Sequence, residues 1–160
     1  MREKRLQTVV QVFDNLEEVS KSDRELLMKA GESLQTAYAP YSGFRVGAAV
    51  RLRNGQVITG GNQENAAYPM CLCAERAALA AAAAQYPEVP VLSIAITVRS
   101  ERHVVDSPAS PCGACRQVIC ETEDRYQHPI SILLRGEAGP VYKISTGRDL
   151  LPLAFTGATL

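Results

Sequence analysis

Apolar residues recur along this chain with two different periods, and the switches between them divide it into helices and strands. Leu26, Leu27, Ala30, Leu34 and Ala37 repeat at helical spacing. Ser22, with Glu25 three positions on, has the form of a capping box. The first clear helix is therefore expected to begin at Ser22 and to stop at Pro40. From Arg45 the period becomes two, so Val46, Ala48, Val50 and Leu52 share one face of a strand. Asn54-Gly55 then suits a type I′ hairpin turn, with Gln56 to Thr59 returning antiparallel.

The run from Cys73 to Gln85 is dominated by alanine, which has the best helix propensity and lets a helix lie close against a sheet. Val91 to Val98 is nearly all apolar and predicts a buried strand. A third helix is expected from Cys112 to Asp124, strands at Ile130–Leu134 and Val141–Ile144, and a short helix near Leu150 and Leu151. This order predicts an α/β fold: a three-layer α-β-α sandwich around a mixed sheet of about five strands. Residues 1–21 are read as an N-terminal extension, in which Thr8 to Phe13 suits an added edge strand. Residues 22–160 are read as one domain.

Composition narrows the function. Lys plus Arg and Asp plus Glu both count 17, for a formal net charge of +0. The basic excess that accompanies wrapping of a polynucleotide is missing, so a small neutral substrate is expected and a nucleic-acid partner is not. No apolar stretch reaches membrane-spanning length, and none of secretory type follows the charged N-terminus, so no membrane partner and a cytoplasmic location are expected. Five cysteines, grouped as Cys71/Cys73 and Cys112/Cys115/Cys120, look like metal-site clustering rather than a disulfide framework.

Cys112 and Cys115 stand three apart at a helix start, on one face, where the helix dipole favours thiolate. A thioredoxin-like redox pair and a structural zinc clip also fit that spacing. Cys73 adds a third thiolate from a second helix start. Three protein ligands leave tetrahedral zinc one open position, as in a catalytic site. Glu75, two residues beyond Cys73, suits a proton shuttle at that position. Three thiolates outweigh Zn²⁺ by one charge, which gives Arg76 a role in balancing the site through hydrogen bonds to ligand sulfurs. Cys71 and Cys120 match no ligand position and default to small buried hydrophobes. His103 and His128 fall outside the motifs and read as structural or surface residues.

Five segments resemble the cytidine deaminase family, and its small homotetrameric branch in particular: Tyr38 to Ala49, Asn62 to Tyr68, Cys73 to Arg76, Pro111 to Gln117 and Leu150 to Phe155. Zinc deaminases with three cysteine ligands and a non-ligand Glu are known chemistry. The resemblance implies zinc-dependent hydrolytic deamination of cytidine and deoxycytidine to uridine and deoxyuridine in pyrimidine salvage. It implies one Zn²⁺ per subunit on Cys73, Cys112 and Cys115, with Glu75 shuttling protons for the attacking hydroxide. It assigns Asn62 and Glu64 to the ribose, Phe44 to the base, the Ala74 N–H to the pyrimidine carbonyl and the Ser110 carbonyl to the leaving amine. Phe155 is assigned to a neighbouring subunit's pocket, which implies a homotetramer with active sites at subunit interfaces. The competing readings are a deaminase of cytosine in polynucleotides or in a cytosine-containing antibiotic, and a zinc-binding module without chemistry.

Overall fold

The structure, a computed structural model, describes residues 1–159. Six strands form one mixed sheet in the order β1 (Gln11–Phe13), β6 (Val141–Ile144), β5 (Ser131–Arg135), β4 (Val91–Ser100), β2 (Phe44–Leu52) and β3 (Val57–Gly61). Only β4 and β5 pair in parallel; every other neighbour is antiparallel. Helix α1 (Lys21–Ser33) covers one face. Helices α2 (Ala74–Gln85) and α3 (Gly113–Tyr126) cover the other, with the short α4 (Gly147–Leu150) beside α3. No helix among the described residues is long and apolar enough to cross a membrane.

The alternation of side chains along the strands builds two cores. Val50, Ile94, Ile96, Ile132 and Leu134 point toward α2 and α3, together with Ala78, Leu79 and Ile119. Ala49, Ala95 and Leu133, offset by one residue, point toward Leu26, Leu27 and Ala30 of α1. Both helix layers sit very close to the sheet. A Cβ on Gly47 would lie 2.1 Å from the Ala30 carbonyl oxygen, and one on Gly60 would lie 2.7 Å from the Ala78 nitrogen. Glycine at these two positions therefore lets helix backbone rest on strand backbone.

The expected elements are present, with differences at their ends. The cap of α1 is Ser20, not Ser22, and its hydroxyl accepts from the Asp23 N–H. Ser20 has the extended backbone an N-cap needs, whereas Ser22 lies inside the first turn and accepts a hydrogen bond from Arg51. The helix ends at Ser33 and passes into a 3₁₀ turn, Leu34–Thr36, well before Pro40. There the Ser33 hydroxyl donates to the Ala30 carbonyl. The hairpin after β2 is not type I′: only Gly55 has positive φ, +85°, and its N–H donates to Leu52 O at 3.0 Å. Arg53, Asn54 and Gly55 form a three-residue loop, in which glycine alone takes the left-handed position.

At the far edge, β1 pairs antiparallel with β6, Gln11 opposite Lys143 and Phe13 opposite Val141. Lys143 also donates to Asp23 of α1 at 2.7 Å. Behind α3, the Glu123 carboxylate is 4% exposed. It accepts from Ile130 N, Gly147 N and the Thr146 hydroxyl, tying α3 to β5 and α4. Full satisfaction makes such a buried carboxylate tolerable.

Because backbone cannot yield at the α1–β2 contact, Gly47→Val is expected to cost about 3 kcal/mol. Urea unfolding followed by circular dichroism would show it as a lower midpoint with an unchanged slope.

Candidate active site

The chain ends of β3 and β4 and the beginning of β2 lie at one edge of the sheet, because β2 runs antiparallel to both neighbours. Helices α2 and α3 begin at this same edge. Their N-cap residues are Cys73 and Cys112, both extended, and neither thiol caps its own helix. The first N–H groups and the positive dipole ends thus point into the space where the sulfurs gather.

The Cys73 and Cys112 sulfurs are 4.0 Å apart, and those of Cys112 and Cys115 are 3.6 Å apart. All three lie within 4.8 Å of one another. A tetrahedral zinc with Zn–S bonds of about 2.3 Å requires sulfurs about 3.8 Å apart, so the spacing fits one ion without rearrangement. Cys115 is buried, Cys73 half-buried and Cys112 exposed, which leaves one side of the trio open. The thiols are unequal. A hydrogen bond from Cys115 draws the Cys73 thiol down to about 6, aided by Cys112 and Arg76 against burial and the charge of Glu75. Cys115 is pushed up by donating that bond, by burial and by the charges of Glu75 and Cys73. A metal ion held by all three sulfurs must displace whatever thiol protons remain.

Beside the trio lies a cavity of about 280 Å³. Cys73 and Cys112 form its floor with Glu75, which is 4% exposed. One wall is apolar: Phe44 and Val46 from β2, Ile96 and Val98 from β4. Asn62, Glu64 and Ser110 also line the cavity, while Ala74 is buried at the first position of α2. The Asn62 amide is partly engaged, accepting from Val46 N at 2.8 Å and donating to Phe44 O at 3.0 Å. Its second N–H and second lone pair are left over. One Glu64 oxygen accepts from Tyr41 N at 2.9 Å and Ser42 N at 3.3 Å. The Ser42 hydroxyl, together with these two amides, holds the Glu64 carboxyl below its ordinary range despite some desolvation.

Two sequence-derived placements differ, those of Arg76 and Cys71. Arg76 donates not to a sulfur but to the Cys71 carbonyl at 2.8 Å, while its Nε is buried without a partner. Cys71 is not a core residue: it lines the cavity, and its sulfur accepts from Asn65 N at 3.2 Å. Phe155 does not line this chain's own cavity; it is 63% exposed, and its carbonyl accepts from Gln117. Cys120 is buried. The apolar wall of Val46, Ile96 and Val98 was missed as site because its period-two pattern reads as core. Val46 stands opposite Val98 across β2 and β4, and this core face continues into the cavity wall.

The model of the cytidine and deoxycytidylate deaminase zinc-binding region matches residues 20–127. A cytidine deaminase of Halalkalibacterium halodurans is 40% identical over 135 residues, 84% of this chain and 95% of that protein. One from Mycobacterium tuberculosis is 38% identical over 79% of this chain and 84% of its own length. The crystal structure of cytidine deaminase from Burkholderia pseudomallei superposes with a TM-score of 0.72 at 38% identity. That likeness covers 86% of this chain and 100% of the other. The matched region and the three-cysteine cluster make zinc the cofactor, one ion per chain. With that domain matched and relatives similar over most of its length, the chain belongs to the cytidine and deoxycytidylate deaminase family.

Proposed function

We propose that the cavity binds a free cytidine-type nucleoside and that Glu75 carries the protons of its hydrolytic deamination. The observation that carries this reading is a buried carboxylate facing a cavity on the open side of a three-sulfur site, outside the trio itself. Zinc on Cys73, Cys112 and Cys115 supplies Lewis acidity that makes water a nucleophile near neutral pH. Glu75 takes a proton from that water and delivers it to ring N3, which leaves C4 electrophilic. The C4–O bond forms first; Glu75 then takes the proton left on the new C4 hydroxyl and passes it to the amine as the C4–N bond breaks. Ammonia leaves, and oxygen from water becomes the C4 carbonyl. One carboxylate serves as base and then acid.

The remaining residues orient the nucleoside. Ala74 offers its N–H, one of the unpaired donors of the α2 start, to the pyrimidine carbonyl. The Ser110 carbonyl accepts from the amine. Phe44 packs against the base, and the apolar wall around it excludes water. The free amide hydrogen of Asn62 and the second Glu64 oxygen take the sugar hydroxyls. Arg76 supports Cys73 by its charge and by holding the Cys71 carbonyl, which lies two residues before that ligand. Phe155 reaches the cavity of a neighbouring copy in a homotetramer, a reading supported by its exposure and by its absence from its own chain's cavity. Deoxycytidine is a substrate alongside cytidine. The enzyme works in pyrimidine salvage, and its free thiols suit the reducing cytoplasm.

Two outcomes test these roles. Glu75→Gln should keep one zinc per chain by elemental analysis yet lose about 10³-fold in turnover, followed as the fading cytidine absorbance. Normal turnover in that variant would remove the shuttle, and turnover confined to single-stranded oligonucleotides would replace the substrate class. Glu64→Gln should raise KM for cytidine about tenfold with kcat nearly kept. It should cost nothing extra on 2′,3′-dideoxycytidine, where the hydroxyl partner is already missing.

A further inference from the structure

Arg116 follows the ligand Cys115 directly, yet its side chain turns away from the sulfurs. Its Nε–H donates to the Pro111 carbonyl at 2.8 Å, and one terminal N–H donates to the Leu150 carbonyl at 2.9 Å. The Pro111 carbonyl belongs to the peptide whose nitrogen is that of Cys112, the most exposed of the three ligands. Cys112 is the N-cap of α3 and its thiol makes no bond to its own helix, so the orientation of this peptide helps set where its sulfur stands.

The second contact is at the other end of the chain. Leu150 closes α4 and opens the segment that carries Phe155. Gln117, the next residue of α3, donates to the Phe155 carbonyl at 2.8 Å. Two adjacent side chains thus hold both ends of the segment 150–155. Between them Leu153 takes φ +61°, left-handed for a residue with a side chain, and is 83% exposed. Such a backbone persists only when its surroundings over-determine it. The two carbonyls held here are the visible restraint.

We propose that Arg116 is a positioning residue that locks the Cys112 ligand loop and the Leu150–Phe155 segment into one register. Metal retention and closure of the site then depend on one guanidinium. The inference rests on the reading above of Cys112 as a zinc ligand and of Phe155 as part of a neighbouring site. The planar fork reaches the two carbonyls from two separate nitrogens, Nε and a terminal one; an ammonium would have to reach both from a single nitrogen.

The test uses the full-length zinc-loaded chain and the variants Arg116→Ala, Arg116→Lys and Gln117→Ala. Two quantities are read: zinc release to excess chelator, followed with a metallochromic indicator, and KM and kcat for cytidine. Arg116→Ala should release zinc about 10- to 100-fold faster and raise KM. Gln117→Ala, which frees only the tail, should raise KM about fivefold and release zinc at the wild-type rate. Arg116→Lys should fall between wild type and alanine in zinc release, and it carries the test should the alanine variant not fold. Wild-type zinc release in either Arg116 variant overturns the proposal, as does equal acceleration by Gln117→Ala. A wild-type chain that binds no zinc and leaves cytidine untouched would overturn the underlying functional reading itself, a result distinct from any of these.

Discussion

The meeting of two helix beginnings at one point is the constraint from which the rest of the structure follows. Three sulfurs can share an ion only if α2 and α3 start at the same sheet edge, on the same face, within a few ångströms of each other. The parallel pairing of β4 with β5 meets that demand for α3, because the crossover between them must travel back along the face that α2 already covers. The demand for α2 is met by its nearness to the sheet. With Gly60 and Ala48 paired beneath it, the helix backbone rests almost on the strand backbone, and small side chains fill what space is left. Cysteine at both N-caps leaves amide donors unsatisfied by any side-chain oxygen. These donors face sulfur and cavity, so local helix stability is given up where negative charge must be held.

The elements of the fold were legible because period and composition agreed along most of the chain. The two-residue period of β2, the alanine run of α2 and the apolar run of β4 each have one physical reading. Boundaries were less legible, since they turn on local competition. On paper Ser22, with Glu25 three positions on, carries the cap signal, yet the chain enters the helix earlier and Ser20 caps it. Asn-Gly is the strongest short hairpin signal, yet the strands here are joined through a three-residue loop that the dipeptide alone does not specify.

The site divided along a similar line. The three cysteines stood out by spacing and chemistry together, and the structure gathers their sulfurs at one point with Glu75 beside them at the cavity. Residues whose role depends on tertiary register did not stand out. Val46 and Val98 read as ordinary core, although their pairing places both at the cavity wall. Arg76 carries the charge the sulfur site calls for, but its reach is set by the turn at Cys71, which ends a short 3₁₀ segment, Tyr68–Met70. Cys71 itself is drawn to the cavity rim by the Asn65 amide, a contact that follows from loop geometry rather than hydropathy.

Asn62 and Glu64 show why the binding end of the cavity can be rigid before any ligand arrives. Each spends half its hydrogen-bonding capacity on backbone: Asn62 on β2, Glu64 on the Tyr41–Ser42 turn. Those bonds fix the direction of the other half, so little side-chain freedom remains to be lost on binding. The same bonds keep Glu64 ionised, because two amides and a hydroxyl favour the carboxylate over the acid. Its folded-state pKa is lowered, so its contribution to stability is present above the ordinary carboxylate range and fades only as pH falls through the lowered value. Glu64 thus faces the cavity with one oxygen held by backbone and the other directed by those bonds.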